Sequence, residues 1–121
     1  MTPDEINRAI AERLGIHAVR DKNSNLWSLM DGRFWVHGTH NGGLDEEHCW
    51  RVNCPDYCND HNAIHSALED LSDRELGLYT DEVCELAYDG SHDTNIQQLL
   101  TMEANELAAC YVRAIGKWRS A

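Results

Sequence analysis

The strongest constraint on the fold is a hairpin signal, the dipeptide Asp31-Gly32 between two runs rich in aromatic and aliphatic residues. Asp-Gly favours a two-residue turn, because both positions of that turn need a positive φ angle. Pairing outward from it predicts strands at 26–30 and 33–37. One face of this hairpin is then apolar and faces a core, whereas the other face is mixed. The apolar face would carry Trp27, Leu29, Phe34 and Val36.

Most of the remaining chain has apolar residues at helical spacing. Thr2 and Glu5 form a capping box around Pro3, which predicts a first helix over residues 3–14. Further predicted helices are one at about 59–71, one that starts at the capping box Ser72–Glu75, and one that Thr101 caps.

One further short strand is predicted at Cys49–Val52, where Trp50 and Val52 would share a face. A length of 121 residues fits one domain, 1–121, that can bury a core without disulfides. We therefore expect an α+β fold, in which a small antiparallel sheet packs with about four helices.

Charge is concentrated in one part of the chain. The net charge is −11, and residues 45–93 hold fourteen acidic and two basic residues, a regional charge of −12. Such a surface repels nucleic acid and attracts a basic protein, although acidic helices are also often simply solvated. The acidic residues proposed as a binding face are Glu75, Asp81, Glu82, Glu85 and Asp89.

Other global features bear on where the protein works. No apolar stretch reaches the roughly 18 residues of a membrane helix, and the N-terminus lacks the pattern of a signal peptide. The cysteine count of five is odd, which favours free thiols over a disulfide framework. We expect a cytoplasmic protein that contacts no membrane.

A metal site is the first alternative for chemistry. Cys54, Cys58, His61 and His65 include the residue types that hold zinc, and the last three can share one flank of a helix. The spacing is not that of paired zinc knuckles. We expect no cofactor: Cys58 is then a small buried hydrophobe and His65 a hydrogen-bonded residue at the core edge.

Catalytic signatures are weak. The segment from His37 to His48 has acid and base candidates, but its glycines indicate a surface loop. Gly42-Gly43 lacks the spacing of a phosphate-binding loop, and no serine lies in a nucleophile elbow. A cysteine nucleophile has no local support, so we expect a protein that is not an enzyme.

The run Asn59, Asp60, Asn62 is open to two interpretations. It is a polar recognition site, or it caps the second helix, with Asp56 or Asn59 as the N-cap. We favour the cap.

Three blocks of the chain resemble a set of small phage and prophage proteins. They are residues 2–12, the segment 55–65, and residues 104–118 with the ending Gly116-Lys117-Trp118. The motif residues in the central block are Asp56, Tyr57, Asn59, Asp60, Asn62 and His65. The resemblance implies a phage α-β-α sandwich domain and a phage or prophage origin, but no activity and no catalytic residues.

The expected function is therefore binding. We predict a phage or prophage accessory protein in the host cytoplasm that engages a host or phage protein through its acidic face, for example as an inhibitor of host defence. The alternatives are a zinc-stabilised domain and a structural component that self-associates through the mixed face of the hairpin or an edge strand.

Overall fold

The computed structural model describes residues 1–36, 43–87 and 102–120. Its architecture confirms the α+β class, since five α-helices pack with a three-stranded antiparallel sheet among these residues. The helices are α1 Pro3–Arg13, α2 Glu46–Asn53, α3 His61–Ala67, α4 Asp73–Leu86 and α5 Ala104–Ala114. The strands are β1 Ile16–Arg20, β2 Trp27–Asp31 and β3 Phe34–Trp35.

Helix α1 begins and ends where the sequence predicts. The hydroxyl of Thr2 accepts a hydrogen bond from the Glu5 amide at 3.2 Å, and the Glu5 carboxylate accepts one from the Thr2 amide at 3.0 Å. Gly15 follows the last turn with a φ of +90°, a left-handed conformation that glycine adopts without strain. The predicted helix over 3–14 is thus confirmed to within one residue.

The sheet contains a strand, β1, that the sequence pattern does not predict. Strand β1 pairs antiparallel with β2, so that Ala18 lies opposite Leu29, and it forms one edge of the sheet order β1-β2-β3. Its side chains are small, polar or exposed except for Ile16, which is buried. Because apolar and polar residues do not alternate clearly along this segment, its sequence gives little indication of a strand. Pairing with β2 stabilises β1 instead.

The hairpin is confirmed, but with a register that differs from the prediction. Met30 lies opposite Trp35 and Asp31 opposite Phe34, so the turn is formed by Gly32 and Arg33 and not by Asp31 and Gly32. Each residue of β2 therefore pairs with a residue two positions further along the chain than predicted. A shift of two keeps every side chain on its predicted face, because strand side chains alternate with period two. It also places Phe34 beside the turn, where it is 78% exposed, so its predicted place in the core is wrong.

The segment predicted as the third strand, Cys49–Val52, belongs to helix α2, so that prediction is wrong. Asp45 caps this helix by accepting a hydrogen bond from the His48 amide at 2.7 Å, and the residues that follow are acidic, as suits a helix N-terminus. The apolar positions that suggested a strand are also compatible with a helix, since short apolar runs do not distinguish the two.

Gly43 allows α2 to approach the sheet closely. Its backbone forms two hydrogen bonds with Trp27 of β2, at 2.9 and 2.7 Å. A Cβ atom on Gly43 would lie 2.7 Å from the Cα atom of Cys49. Any larger residue therefore requires α2 to move away from β2.

Helix α5 lies at the centre of the core. It contacts α1, α3 and α4, and its inward residues Leu107, Ala108 and Tyr111 are buried. The Tyr111 hydroxyl donates a hydrogen bond to the Ala67 carbonyl at 3.1 Å. The N-cap of α5 is Glu103, and the predicted cap Thr101 lies outside the described residues.

Helix α4 starts at its predicted capping box but is less buried than expected. Tyr79 is its only fully buried residue, whereas Leu76 and Leu86 are 42% and 46% exposed. The apolar residues at helical spacing along α4 are thus only partly buried: Leu76, Tyr79, Val83 and Leu86. In the three described segments, every helix is too short or too polar to span a lipid bilayer.

Candidate functional site

The central motif, residues 55–65, forms the entrance to helix α3. Asp60 is the N-cap, and its carboxylate accepts hydrogen bonds from the amides of Asn62 and Ala63 at 3.0 and 3.2 Å. The capping interpretation is confirmed, but the residue that caps is neither Asp56 nor Asn59. The side chains of Asn62 and His65 are exposed.

Asp56 and Asn59 belong to a polar network centred on Asn7 of α1. The Asn7 side chain is 7% exposed and accepts a hydrogen bond from the Cys58 amide at 3.0 Å, while its Nδ2 donates to Asp56 at 3.1 Å. The other Asp56 oxygen accepts from Asn59 at 2.8 Å. This network ties α1 to the segment before α3, so these motif residues serve the fold.

Asn7 was not identified from the sequence, although a signal exists. It lies three residues before Ile10 and seven before Leu14, so it falls on the apolar side of α1. Tyr57, another motif residue, is 5% exposed, and this burial raises its pKa. It is therefore a neutral core residue and not an acid-base group.

The predicted zinc ligands are not brought together. Across residues 1–36, 43–87 and 102–120, no group of three or more His, Cys, Asp or Glu side chains is arranged to hold a metal ion. The His61 Nε2 atom lies 3.0 Å from the Met102 carbonyl, so that imidazole is already engaged. His65 is exposed.

The two cysteines of that set are buried thiols. Burial raises the pKa of Cys54 to about 12 and that of Cys58 to about 11. The Cys58 thiol also donates a weak hydrogen bond to the Pro3 carbonyl at 3.7 Å. Because the thiolate is the nucleophilic and metal-binding form, neither residue is activated for chemistry at neutral pH.

The segment 37–48 is described only from Gly43 onward, so His37 and His40 lie outside the described residues. His48 accepts a hydrogen bond from the Leu44 amide at 3.4 Å, and Asp45 is the α2 cap.

Glu46 and Glu47 form ion pairs with Arg8 at 3.9 and 3.0 Å. The described acidic residues of this segment therefore begin a helix and bind α1.

The proposed acidic face divides into two parts. Glu75 is paired with Arg13 through two hydrogen bonds and also belongs to the Ser72 capping box. The Arg13 guanidinium and the Ser72 amide lower the pKa of Glu75 to about 2.

Asp81 and Glu85 are exposed and Glu82 is half-buried, and none of the three forms a hydrogen bond or an ion pair with described residues. Asp89 lies outside the described residues.

A groove of about 650 Å³ lies where the C-terminal half of α4 meets α5 and the start of α1. We call it the acidic groove. Its carboxylates come from two helices, Glu82 and Glu85 from α4 and Glu106 from α5, and Arg113 lies at one side. Apolar and thiol groups line the space between the charges: Ile6, Cys58, Leu86, Ala109 and Cys110.

A second groove, of about 810 Å³, lies between α1 and α2 and has a different character. Its central residue is Arg8, whose guanidinium lies 4.7 Å from the Trp50 ring centroid. That guanidinium also pairs with Glu12 and Glu47, each at 3.0 Å. Most charges of this groove pair with one another, and among the charged residues of its lining only Asp4 and Arg51 form no hydrogen bond or ion pair with described residues. It therefore presents both signs of charge, which leaves the acidic groove as the stronger candidate for binding a cationic partner.

Comparison with known proteins adds no assignment, since no protein family, no curated protein and no solved structure matches this chain. The resemblance of the three sequence blocks to small phage proteins therefore stays a prediction.

Proposed function

We propose that this protein binds a basic protein partner through the acidic residues at the C-terminal end of α4. The observation that carries this proposal is the contrast between Glu75, which the fold uses, and the carboxylates of Asp81, Glu82 and Glu85, which have no partner among the described residues. Carboxylates without an internal partner keep their full attraction for a cationic surface.

The position of these carboxylates in the helix supports the proposal. Helices α1, α2 and α5 carry Arg13, Arg51 and Arg113 in their last turns, where a positive charge is favourable. Helix α4 has no basic residue in its last turn, which contains Glu85 instead. A negative charge there is repelled by the helix dipole, so α4 gains no stability from it. We attribute its presence to binding.

The test is partner capture with charge-matched variants. Glu82→Gln/Glu85→Gln neutralises the α4 end, and Asp31→Asn/Glu69→Gln removes the same charge from exposed residues elsewhere. We expect a basic protein to be captured at low ionic strength by the wild type and the control variant, to be released by salt, and to be lost with the α4 variant. Capture that ignores both salt and the α4 substitutions would refute the proposal.

The biological setting is part of the same proposal. We propose a phage or prophage accessory protein without enzymatic activity, acting on a host or phage protein in the host cytoplasm. The support is the likeness of residues 2–12, 55–65 and 104–118 to small phage proteins, together with the acidic surface. Inhibition of a host defence factor that binds nucleic acid would use such a surface, because the factor's basic site would also attract this protein.

A second candidate function is self-association through the hairpin. Phe34 and Trp35 in the short strand β3 are 78% and 43% exposed, and large exposed apolar groups often mark protein interfaces. Sedimentation equilibrium tests this directly. A concentration-dependent dimer that Phe34→Ser abolishes would support it, and a monomer at high concentration would exclude it.

A further inference from the structure

We infer that the acidic groove selects a partner segment that presents an apolar side chain between lysine or arginine residues. This inference rests on the proposed function and makes it more specific. A surface that needed only charge could be flat and polar, whereas this one combines carboxylates with a recess that has an apolar floor.

The floor of the groove favours an apolar side chain. Leu86 lines it and is 46% exposed, and Ile6 is a second apolar residue of the lining. Cys58 and Cys110 are 4% and 1% exposed, and burial raises the pKa of Cys110 to about 11. Protonated thiols behave as small hydrophobic groups, so these two residues close the bottom of the groove without charge, while Leu86 supplies exposed apolar surface for a hydrocarbon side chain.

The rim of the groove favours cations. Glu82 and Glu85 project from α4 and Glu106 from α5, so a bound segment has carboxylates on two sides. Glu106 accepts a hydrogen bond from the Glu103 amide at 3.2 Å, which leaves its second oxygen available. A lysine or arginine flanking an apolar anchor would therefore find an acceptor on either helix.

The cations at the groove are already engaged elsewhere. The Arg113 guanidinium lies 4.0 Å from the Trp118 ring centroid, and the amino group of Met1 donates a hydrogen bond to the Arg119 carbonyl at 3.4 Å. The carboxylates of Glu82 and Glu85 have no hydrogen-bond or ion-pair partner among the described residues. These contacts do not remove the two positive charges, but the three carboxylates of Glu82, Glu85 and Glu106 outnumber them. The groove therefore keeps a net negative charge, which disfavours an acidic peptide, a nucleic acid or an anionic lipid surface as occupant.

Three synthetic peptides of equal length test the inference. One alternates lysine with leucine at helical spacing, one has serine in place of leucine, and one has glutamate in place of lysine. We expect the lysine-leucine peptide to bind at least about tenfold more tightly than the lysine-serine peptide, because its leucine buries apolar surface on the floor. The glutamate-leucine peptide is expected not to bind.

A matched pair of variants locates the site. Leu86→Ala removes the exposed leucine of the floor, and Leu78→Ala removes a leucine of the same helix that is 42% exposed but does not line the groove. Alanine suits a helix, so both variants are expected to fold, which circular dichroism checks. Leu86→Ala should abolish the preference for the lysine-leucine peptide, and Leu78→Ala should keep it.

The outcomes separate the two proposals. Equal affinity for the lysine-leucine and lysine-serine peptides, with salt-sensitive binding of both, would overturn the inference and leave the acidic binding function standing. The same preference in Leu86→Ala as in the wild type would also overturn it. Failure of both lysine peptides to bind at low ionic strength would count against the proposed function itself.

Discussion

Helix α1 and the C-terminal half of α4 use charge in opposite ways. In α1, Glu5 closes a capping box and pairs with Arg119 at 3.2 Å, Arg8 pairs with Glu12, and Arg13 pairs with Glu75. At the end of α4 the carboxylates of Glu82 and Glu85 have no partner among the described residues.

The difference separates charges that serve the fold from charges available to a partner. A paired carboxylate has lost part of its attraction for an outside cation, whereas an unpaired carboxylate at a helix C-terminus weakens its own helix. The comparison predicts that changes on the α1 side alter stability and that changes at the end of α4 alter binding.

The largest effect on stability is expected for Asn7→Ala. The substitution leaves the buried Cys58 amide without its acceptor, and an unsatisfied buried donor costs about 1–3 kcal/mol of unfolding free energy. Chemical denaturation measures this loss. The control is Asn62→Ala, whose side chain is exposed and which should change the free energy by less than about 0.5 kcal/mol. Equal losses in the two variants would show that the Asn7 network does not stabilise the fold.

An acid-dependent effect is expected for Glu75. Its pKa is lowered from 4.5 to about 2 in the folded protein, so its ion pair stabilises the fold above pH 4.5, and the contribution is lost as the pH falls from 4.5 towards 2. Glu75→Gln should lower the melting temperature at neutral pH. It should also make the melting temperature less dependent on pH between 4.5 and 2. Glu85→Gln should keep the wild-type dependence. A wild-type acid profile in Glu75→Gln would contradict the structural role of the pair with Arg13.

The smallest effect is expected for metal removal. His61 is engaged by the Met102 carbonyl, and burial keeps Cys54 and Cys58 protonated. A chelator should therefore leave the melting temperature unchanged, because nothing that stabilises the described residues is removed. A clear drop that zinc reverses would show that these residues bind metal after all.

The sequence predicts those parts of the fold that depend on local interactions. The capping boxes at Thr2 and Ser72 locate the starts of α1 and α4, because the side-chain and backbone groups involved lie within one turn. The Asp31-Gly32 dipeptide identifies the hairpin but does not determine its register. Gly32, with a φ of +63°, fits the first position of the observed turn as well as the second position of the predicted one. Packing therefore decides which register forms.

Parts that depend on distant contacts were missed. Strand β1 exists through pairing with β2, and α2 is fixed by its approach to Gly43, neither of which a local pattern shows. The same holds for the candidate site. The acidity of α4 is visible in the sequence, but the division between Glu75 and Glu85 depends on Arg13, which is 62 residues from Glu75 along the chain.

The most direct test of this account measures stability and affinity in the same variant, Glu82→Gln/Glu85→Gln. The account predicts that the unfolding free energy stays constant or rises by a few tenths of a kcal/mol, about the size of one helix-dipole interaction, while affinity for the lysine-leucine peptide falls about tenfold. A loss of stability with no change in affinity would contradict it, because these carboxylates would then serve the fold and not a partner.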